Sequence, residues 1–174
     1  MRALVVYESM FGNTRTVAEA VADGLTSRFE VETVEVGVAP AAVRDDVALV
    51  VAGGPTHAFG MTRESTRRSA KDQAGGAVVS PGIGLREWLD ALSHGTAAAA
   101  TFDTRVRHPR VPGSAAHAAE KRLRKLGFRV AVPAETFWVE GTPGPLLVGE
   151  ADRAREWGAG LAAAVSGSRV TARP

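Results

Sequence analysis

The feature that most constrains the fold is the alternation of short apolar runs with segments of helical period. Residues 2–7, RALVVY, form a continuous apolar run, which is typical of a strand buried on both faces. From Thr14 onward the period changes, because Val17, Ala18 and Val21 recur at helical spacing. A strand that leads directly into a helix, repeated along a chain, predicts a parallel sheet with helices on both faces.

The same patterning predicts five strands, at 2–7, 29–36, 47–54, 96–103 and 128–139. Helices are expected from about Thr14, over 85–92, after Pro112–Ser114 and over 150–165. Right-handed crossovers favour the strand order 2-1-3-4-5, so we expect an α/β fold with a doubly wound five-stranded parallel sheet. The segment 61–84 is polar and rich in glycine, and we interpret it as an insertion or mobile lid with one possible helical piece.

Length and composition limit the function. A chain of 174 residues with 45% hydrophobic content predicts one domain, over 1–165, followed by a flexible tail at 166–174. The sequence contains no run of about 18 apolar residues and no signal-peptide pattern after Met1, so we expect a cytoplasmic protein without membrane insertion. The absence of cysteine excludes disulfides, iron–sulfur clusters and thiol nucleophiles.

Other classes of function find no support in the residues. The net charge is only +2, so we predict no nucleic-acid partner, and the basic groups of the chain fit solvated helix faces. A phosphoacceptor domain needs an aspartate after the first strand, where Tyr7, Glu8 and Ser9 stand. The histidines have no metal-ligand spacing, and no serine lies in a nucleophile elbow.

The turn between the first strand and the first helix, SMFGNT at 9–14, is a candidate anion site. A helix that starts directly after a strand has unpaired N–H groups and the positive end of its dipole at that point. Ser9 and Thr14 offer hydroxyls, Asn13 offers an amide, and Gly12 allows the backbone to turn. No Gly-Lys-Ser/Thr follows, so a phosphate monoester fits better than a triphosphate. The alternative is that Asn13 or Thr14 only caps the helix.

The residues around this turn resemble the N-terminal signature of the flavodoxin family. The matching positions are Val5, Val6, Tyr7, Ser9, Gly12, Thr14, Ala18 and Val21. The resemblance implies a flavodoxin-like fold and bound FMN, with a role in electron transfer or flavin-dependent reduction and a redox protein or small electron acceptor as partner. It also implies that the FMN phosphate lies against Ser9, Met10, Phe11, Gly12, Asn13 and Thr14.

A second loop, GGPTHAFGM, resembles the run beside the flavin ring in flavodoxins and flavodoxin-like quinone reductases. The resemblance places Pro55, Thr56, His57, Phe59 and Gly60 at the cofactor. Phe59 suits stacking on a planar ring, and Gly60 allows a carbonyl to approach the flavin N5 edge. Thr56 suits the pyrimidine or ribityl edge. His57 is either a surface histidine or a proton donor to the flavin or its substrate.

A third loop, FDTRVRHPRVPGS, is expected to complete the flavin site with Phe102, Asp103 and Thr104. It departs from the family in its arginines, Arg105, Arg107 and Arg110. Positive charge near the ring favours anionic reduced flavin and raises its potential, unlike the setting of a low-potential carrier. An electron carrier and a small NAD(P)H-dependent flavin or quinone reductase both remain open. The alternative from another class is a flavodoxin-like module without flavin that binds a partner protein.

Overall fold

The computed structural model describes residues 1–108 and 112–170. The first half of the chain contains β1 (Arg2–Tyr7), α1 (Asn13–Leu25), β2 (Glu30–Glu35), β3 (Val47–His57), β4 (Gly60–Met61) and α2 (Glu64–Gln73). The second half contains α3 (Leu85–Ala91), β5 (Ala98–Val106), α4 (Ala115–Lys125), β6 (Arg129–Val130), β7 (Glu135–Val139) and α5 (Glu150–Val170). A single 3-10 turn, Val36–Val38, follows β2.

The strands form one parallel sheet in the order β2-β1-β3-β5-β6, which confirms the predicted doubly wound α/β fold. β7 also pairs in parallel with β5, at residues 102–106, which follow the residues of β5 that pair with β6. β4 is antiparallel to β3. The last predicted strand, 128–139, is therefore two short strands beside one neighbour. Pro133 lies between them and has no N–H to donate to the sheet, which explains the interruption.

Apolar side chains fill the space on both faces of the sheet. Val5, Val51 and Phe102 pack on the face covered by α1 and α5. Leu4 and Val50 point to the opposite face and pack with the residues of α3 and α4. Because β1 and β3 are buried on both sides, their sequences are apolar without alternation.

Trp88 of α3 belongs to the core and is only 2% exposed. Its indole N–H donates to the carbonyl of Pro40 at 2.9 Å, so the polar end of the side chain is satisfied within the protein.

β3 and α5 both extend further than predicted. β3 continues through Gly53, Gly54 and Pro55 to His57 rather than ending at 54. At Gly53 a Cβ atom would overlap the ring of Phe102, so glycine there allows the two strands to pack closely without ending β3. α5 continues through 166–170, which were assigned to the tail, and the remaining tail residues 171–174 lie outside the described residues.

The segment 61–84 contains the helix α2, as its polar pattern suggested. Thr62 and Leu85, at the two sides of this segment, both bond to the carboxylate of Glu8 at the end of β1. Within 1–108 and 112–170, no helix has the length and apolarity that a membrane span requires.

Candidate functional site

A cleft of about 80 Å3 opens at the carboxyl edge of the sheet, where β1, β3, β5 and β7 end. Parallel doubly wound sheets bind ligands at this edge, beside the point where the strand order reverses. The lining comes from four loops and contains Ser9, Met10, Phe11, Asn13, Thr14, Pro55, Thr56, His57, Thr104, Arg105, Val106, Val139 and Thr142. The structure thus brings the turn at 9–14 together with parts of the two other predicted loops.

The turn at 9–14 does not cap α1 with a side chain. The N-cap residue is Gly12, in the left-handed conformation with φ of 96°, and no side chain accepts a bond from the first turn. The amide of Asn13 donates to the carbonyl of Pro143 at 3.2 Å, and the hydroxyl of Thr14 bonds that of Thr104 at 2.7 Å. The prediction that Asn13 or Thr14 caps the helix is therefore wrong, because both side chains are engaged elsewhere.

The start of α1 is consequently rich in free donors. In the described part of the chain, no acceptor bonds the backbone N–H groups of Met10, Phe11, Asn13, Thr14 and Arg15. The positive end of the helix dipole lies at the same place. An anion at this turn would satisfy donors that the protein itself leaves unpaired.

Hydroxyl groups add further donors around the turn. The Ser9 oxygen accepts the N–H of Gly12 at 3.1 Å, which leaves the Ser9 hydroxyl proton for another acceptor. Thr14 and Thr104 share one proton in their mutual bond, so one of the two hydroxyls retains a proton to donate. Both threonines are almost fully buried. These donors fit a phosphate monoester, and the nearest arginine along the chain, Arg15, is paired with Glu19.

The second loop is a tight hairpin between β3 and β4. Ala58 and Phe59 form its tip and have positive φ angles of 40° and 79°. Such a turn normally contains glycine or asparagine, so the backbone is strained at these two residues. Phe59 is 64% exposed and, like Gly60, is not among the lining residues of the cleft. Gly60 opens β4, and no atom lies within 4 Å of the place where its Cβ would be. The hairpin therefore presents an aromatic ring to solvent at the carboxyl edge of the sheet.

His57 lies at the base of this hairpin and lines the cleft. Burial lowers the pKa of its imidazole, and the positive charge of Arg67 lowers it further. The ring is therefore neutral at pH 7 and holds one proton on one nitrogen. Neither ring nitrogen bonds to a described side chain.

Asp103 lies inside the protein rather than at the flavin edge where the resemblance placed it. Its carboxylate is fully buried and accepts the hydroxyl protons of Thr56, Ser114 and Thr136 at 2.8, 2.6 and 2.8 Å. It also accepts the N–H of Ala116 at 3.1 Å. The hydroxyl of Thr56 is thereby directed to Asp103 and away from the cleft.

Phe102 also lies apart from the cleft. It is fully buried and makes edge contacts with Phe137 and Trp157, with ring centroids 6.0 and 6.3 Å away. The cause is the length of β5, which runs to Val106 instead of 103. Residues 102 and 103 therefore lie below the edge of the sheet, and Thr104 reaches the cleft in their place.

The structure adds a fourth loop that the sequence reasoning missed. Val139 and Thr142 line the cleft, and Pro143 receives the bond from Asn13. The position of this loop after the last strand was the available signal, because all parallel strands end at the same edge.

The arginines of the third loop have different surroundings. Arg105 lines the cleft, donates to the carbonyl of Gly113 at 2.7 Å, and lies over the ring of Trp138 at 5.8 Å. Arg107 is exposed. Burial raises the pKa of Glu150, but hydrogen bonds from Arg153 and Trp138 outweigh this and lower it, and the positive charge of Arg107 makes a smaller contribution in the same direction. Arg110 lies outside the described residues. Among the described arginines of this loop, Arg105 is thus the one that lines the cleft.

Several solved structures share this fold. A flavodoxin from the domain Archaea is 18% identical, with a TM-score of 0.65, over 95% of this chain and 99% of that one. Oxidised flavodoxin 1 from Bacillus cereus is 15% identical, with a TM-score of 0.67, over 92% and 97%. The flavodiiron protein from Giardia intestinalis is 18% identical, with a TM-score of 0.62, and 99% of this chain covers 38% of that one.

The comparison with curated proteins finds no match. The family model for flavodoxins, however, matches residues 5–158, which include residues 5–7 of β1, the turn at 9–14 and all the other strands of the sheet. Members of this family bind flavin, typically FMN. A match over most of the sequence, together with the shared fold, shows that this chain belongs to the flavodoxin family.

Proposed function

We propose that the protein binds FMN at the cleft and uses it to transfer electrons. The observation that supports this most strongly is the start of α1, where five backbone N–H groups have no acceptor among the described residues. Hydroxyl groups from Ser9, Thr14 and Thr104 surround the same point. An FMN phosphate matches this donor set, whereas riboflavin, which has no phosphate, would leave it unsatisfied.

The ring of the cofactor is proposed to lie toward the β3–β4 hairpin. FMN, when bound, supplies the redox chemistry, since it takes up two electrons and releases them singly or as a pair. Phe59 offers an exposed aromatic face for the ring, and Gly60 leaves open space beside the backbone. The neutral imidazole of His57 has no partner among the described side chains and suits a hydrogen bond to a polar edge of the ring.

The charge at the cleft bears on the kind of electron transfer. Arg105 brings a positive charge to the lining, and the lining residues within 1–108 and 112–170 include no carboxylate. Positive charge stabilises anionic reduced flavin and so favours full two-electron reduction. This supports a small reductase that takes hydride from NAD(P)H and passes two electrons to a quinone-like acceptor. An electron carrier for a redox partner protein is the other form of the same function.

One observation favours the alternative of a flavin-free module that binds a partner protein. The cleft encloses only about 80 Å3, whereas small-molecule sites usually enclose roughly 300 Å3 or more. The Thr56 hydroxyl, expected to meet the flavin, bonds to Asp103 instead. If FMN binds, its ring must therefore lie in the open part of the cleft beside Phe59.

Purification of the whole chain separates the two functions. We expect a yellow protein that releases FMN on denaturation and quenches the fluorescence of added FMN at a one-to-one ratio. A colourless protein that leaves FMN fluorescence unchanged would refute flavin binding and support the partner-binding module. Consumption of NAD(P)H with a quinone then distinguishes a reductase from a carrier, since a carrier alone would show no sustained turnover.

A further inference from the structure

The segment that leads from α2 to α3 contacts the back of the turn at 9–14. Within it, Val79 and Ser80 form a short extended stretch, here named the strap, and both residues bond to the chain just after β1. Ser9, Met10 and Ser80 are 0%, 2% and 1% exposed, so this contact is buried. Nothing in the strap lines the cleft itself.

Three hydrogen bonds join the strap to the turn. The hydroxyl oxygen of Ser80 accepts the N–H of Ser9 at 3.0 Å, and the N–H of Ser80 donates to the carbonyl of Ser9 at 2.8 Å. The N–H of Val79 donates to the carbonyl of Met10 at 3.1 Å. Both carbonyls at the start of the turn therefore point to the strap.

These bonds also fix where the N–H groups of the turn point. In a trans peptide the C=O and the N–H point in opposite directions. The carbonyl of Ser9 shares a peptide with the N–H of Met10, and the carbonyl of Met10 shares one with the N–H of Phe11. Because the strap holds both carbonyls, it turns both N–H groups to the other side, where Met10 and Phe11 line the cleft.

The segment that carries the strap is itself held to β1. Glu8 precedes Ser9, and its carboxylate accepts the hydroxyl proton of Thr62 at 2.6 Å and the N–H of Leu85 at 2.7 Å. Arg67 of α2 bonds to Thr62 at 3.0 Å and to Glu87 of α3 at 3.1 Å. Both sides of the segment are therefore bonded to Glu8, the residue after β1, and the strap between them packs against the turn.

We propose that Ser80 is a positioning residue for the phosphate of FMN. Its hydroxyl holds the peptide before Ser9 and aligns the strap, so the N–H groups of Met10 and Phe11 are directed to the phosphate before it binds. Ser80 makes no contact with the phosphate. This inference rests on the proposed function, and it assigns a role to a segment that the family resemblance leaves unexplained.

Replacement of Ser80 by alanine tests the proposal. We compare the dissociation constants of FMN and riboflavin for the whole protein by fluorescence titration. In Ser80→Ala we expect FMN to bind about tenfold more weakly, since one misdirected charge-assisted bond is worth about 1.5 kcal/mol, while riboflavin binding stays unchanged. Ser80→Thr, which keeps the hydroxyl, should restore most of the FMN affinity. Ser69→Ala, an exposed serine of α2, should match the wild type.

The outcomes separate this inference from the proposed function. Equal affinity of the wild type for FMN and riboflavin would overturn both. A wild type that prefers FMN, with the same preference in Ser80→Ala, would overturn only the role of Ser80. A parallel loss of affinity for both ligands in Ser80→Ala would also overturn it, because that result indicates general damage to the cleft. Thermal unfolding of each variant shows whether it is folded at the titration temperature.

Discussion

At the scale of single residues, the structure separates side chains that serve the cleft from side chains that hold the fold. Thr14 and Asp103 illustrate the difference. Both are buried polar residues. Thr14 lines the cleft and shares its hydroxyl with Thr104, whereas the Asp103 carboxylate is not among the lining residues and accepts four hydrogen bonds from other parts of the protein.

Thr14→Val tests the role of the hydroxyl at the cleft. Valine keeps the shape of the side chain and removes the donor, so we expect FMN to bind about tenfold to a hundredfold more weakly, as one charge-assisted bond is worth roughly 1.5–3 kcal/mol. Riboflavin binding should not change. Thr26→Val is the control, because this threonine lies at the other end of α1 and bonds only to Asp23. Equal loss for both ligands would contradict a phosphate contact.

Asp103→Ala tests whether that carboxylate is structural. It removes the acceptor of three hydroxyls and one N–H in a fully buried position, so we expect the free energy of unfolding to fall by about 3 kcal/mol or more. Urea unfolding measures the change. The control, Asp46→Ala, removes exposed ion pairs with Arg44 and Arg2 and should cost less than about 1 kcal/mol. Similar small losses in both variants would show that Asp103 does not hold the fold.

At the scale of elements, the β3–β4 hairpin combines strain with exposure. Phe59 occupies a backbone conformation that suits glycine, and its ring gains little from burial because it is 64% exposed. Neither property stabilises the isolated protein. Strained, exposed residues of this kind cluster at binding sites, which is consistent with a contact to the flavin ring.

The hairpin account predicts opposite changes in stability and binding. Phe59→Gly should raise the free energy of unfolding by about 1 kcal/mol through relief of strain, and weaken FMN binding about threefold to tenfold through loss of stacking. Ala58→Gly relieves strain at the adjacent residue and should raise stability while leaving FMN binding unchanged. Urea unfolding and FMN titration provide both numbers. Unchanged FMN affinity in Phe59→Gly would exclude the stacking contact.

The elements also show how far the sequence could predict this structure. The first strands and helices followed from periodicity, because apolar residues buried on both faces of β1 and β3 leave a clear pattern. The strand order followed from the right-handed crossovers that such alternating elements require. The third loop was misplaced because the strand–loop boundary depends on pairing with neighbours. β5 continues to Val106 along β7, so Phe102 is a core residue and not a wall of the cleft.

Long-range contacts account for the rest. The bond from Ser80 to Ser9 joins residues far apart in the chain, and no local pattern at 79–80 indicates it. The same holds for Asn13, whose amide suited a helix cap in the sequence but meets the carbonyl of Pro143 in the fold. Local propensity does not predict the hydrogen-bond partner of a side chain that can bond either to a neighbour in the sequence or to a distant residue.

At the scale of the whole molecule, two neighbouring carboxyls make opposite contributions to the pH dependence of stability. Burial raises the pKa of Glu8 above its ordinary 4.5, although bonds from Leu85 and Thr62 and the charge of Arg67 oppose it. For Glu87, burial acts in the same direction, but bonds from Arg67 and Gly84 outweigh it and lower the pKa. Glu8 therefore favours the folded state below pH 4.5, and Glu87 favours it above.

Stability measured against pH tests these signs. As pH rises above 4.5, the free energy of unfolding of the wild type should fall relative to Glu8→Gln, because the folded protein must ionise a buried carboxyl. As pH falls through 4.5, the wild type should lose stability relative to Glu87→Gln. Urea unfolding between about pH 2.5 and 8 measures both differences. The same slope for the two variants would contradict the assigned environments.

The central claim is that the turn after β1 binds the phosphate of FMN, and the most direct measurement is the ratio of the riboflavin and FMN dissociation constants for the wild-type protein. The two ligands share the same ring and differ in the phosphate. The unpaired N–H groups at 10, 11 and 13–15 predict that FMN binds at least about a hundredfold more tightly. Equal affinities would contradict the account, because the turn would then leave the phosphate unrecognised.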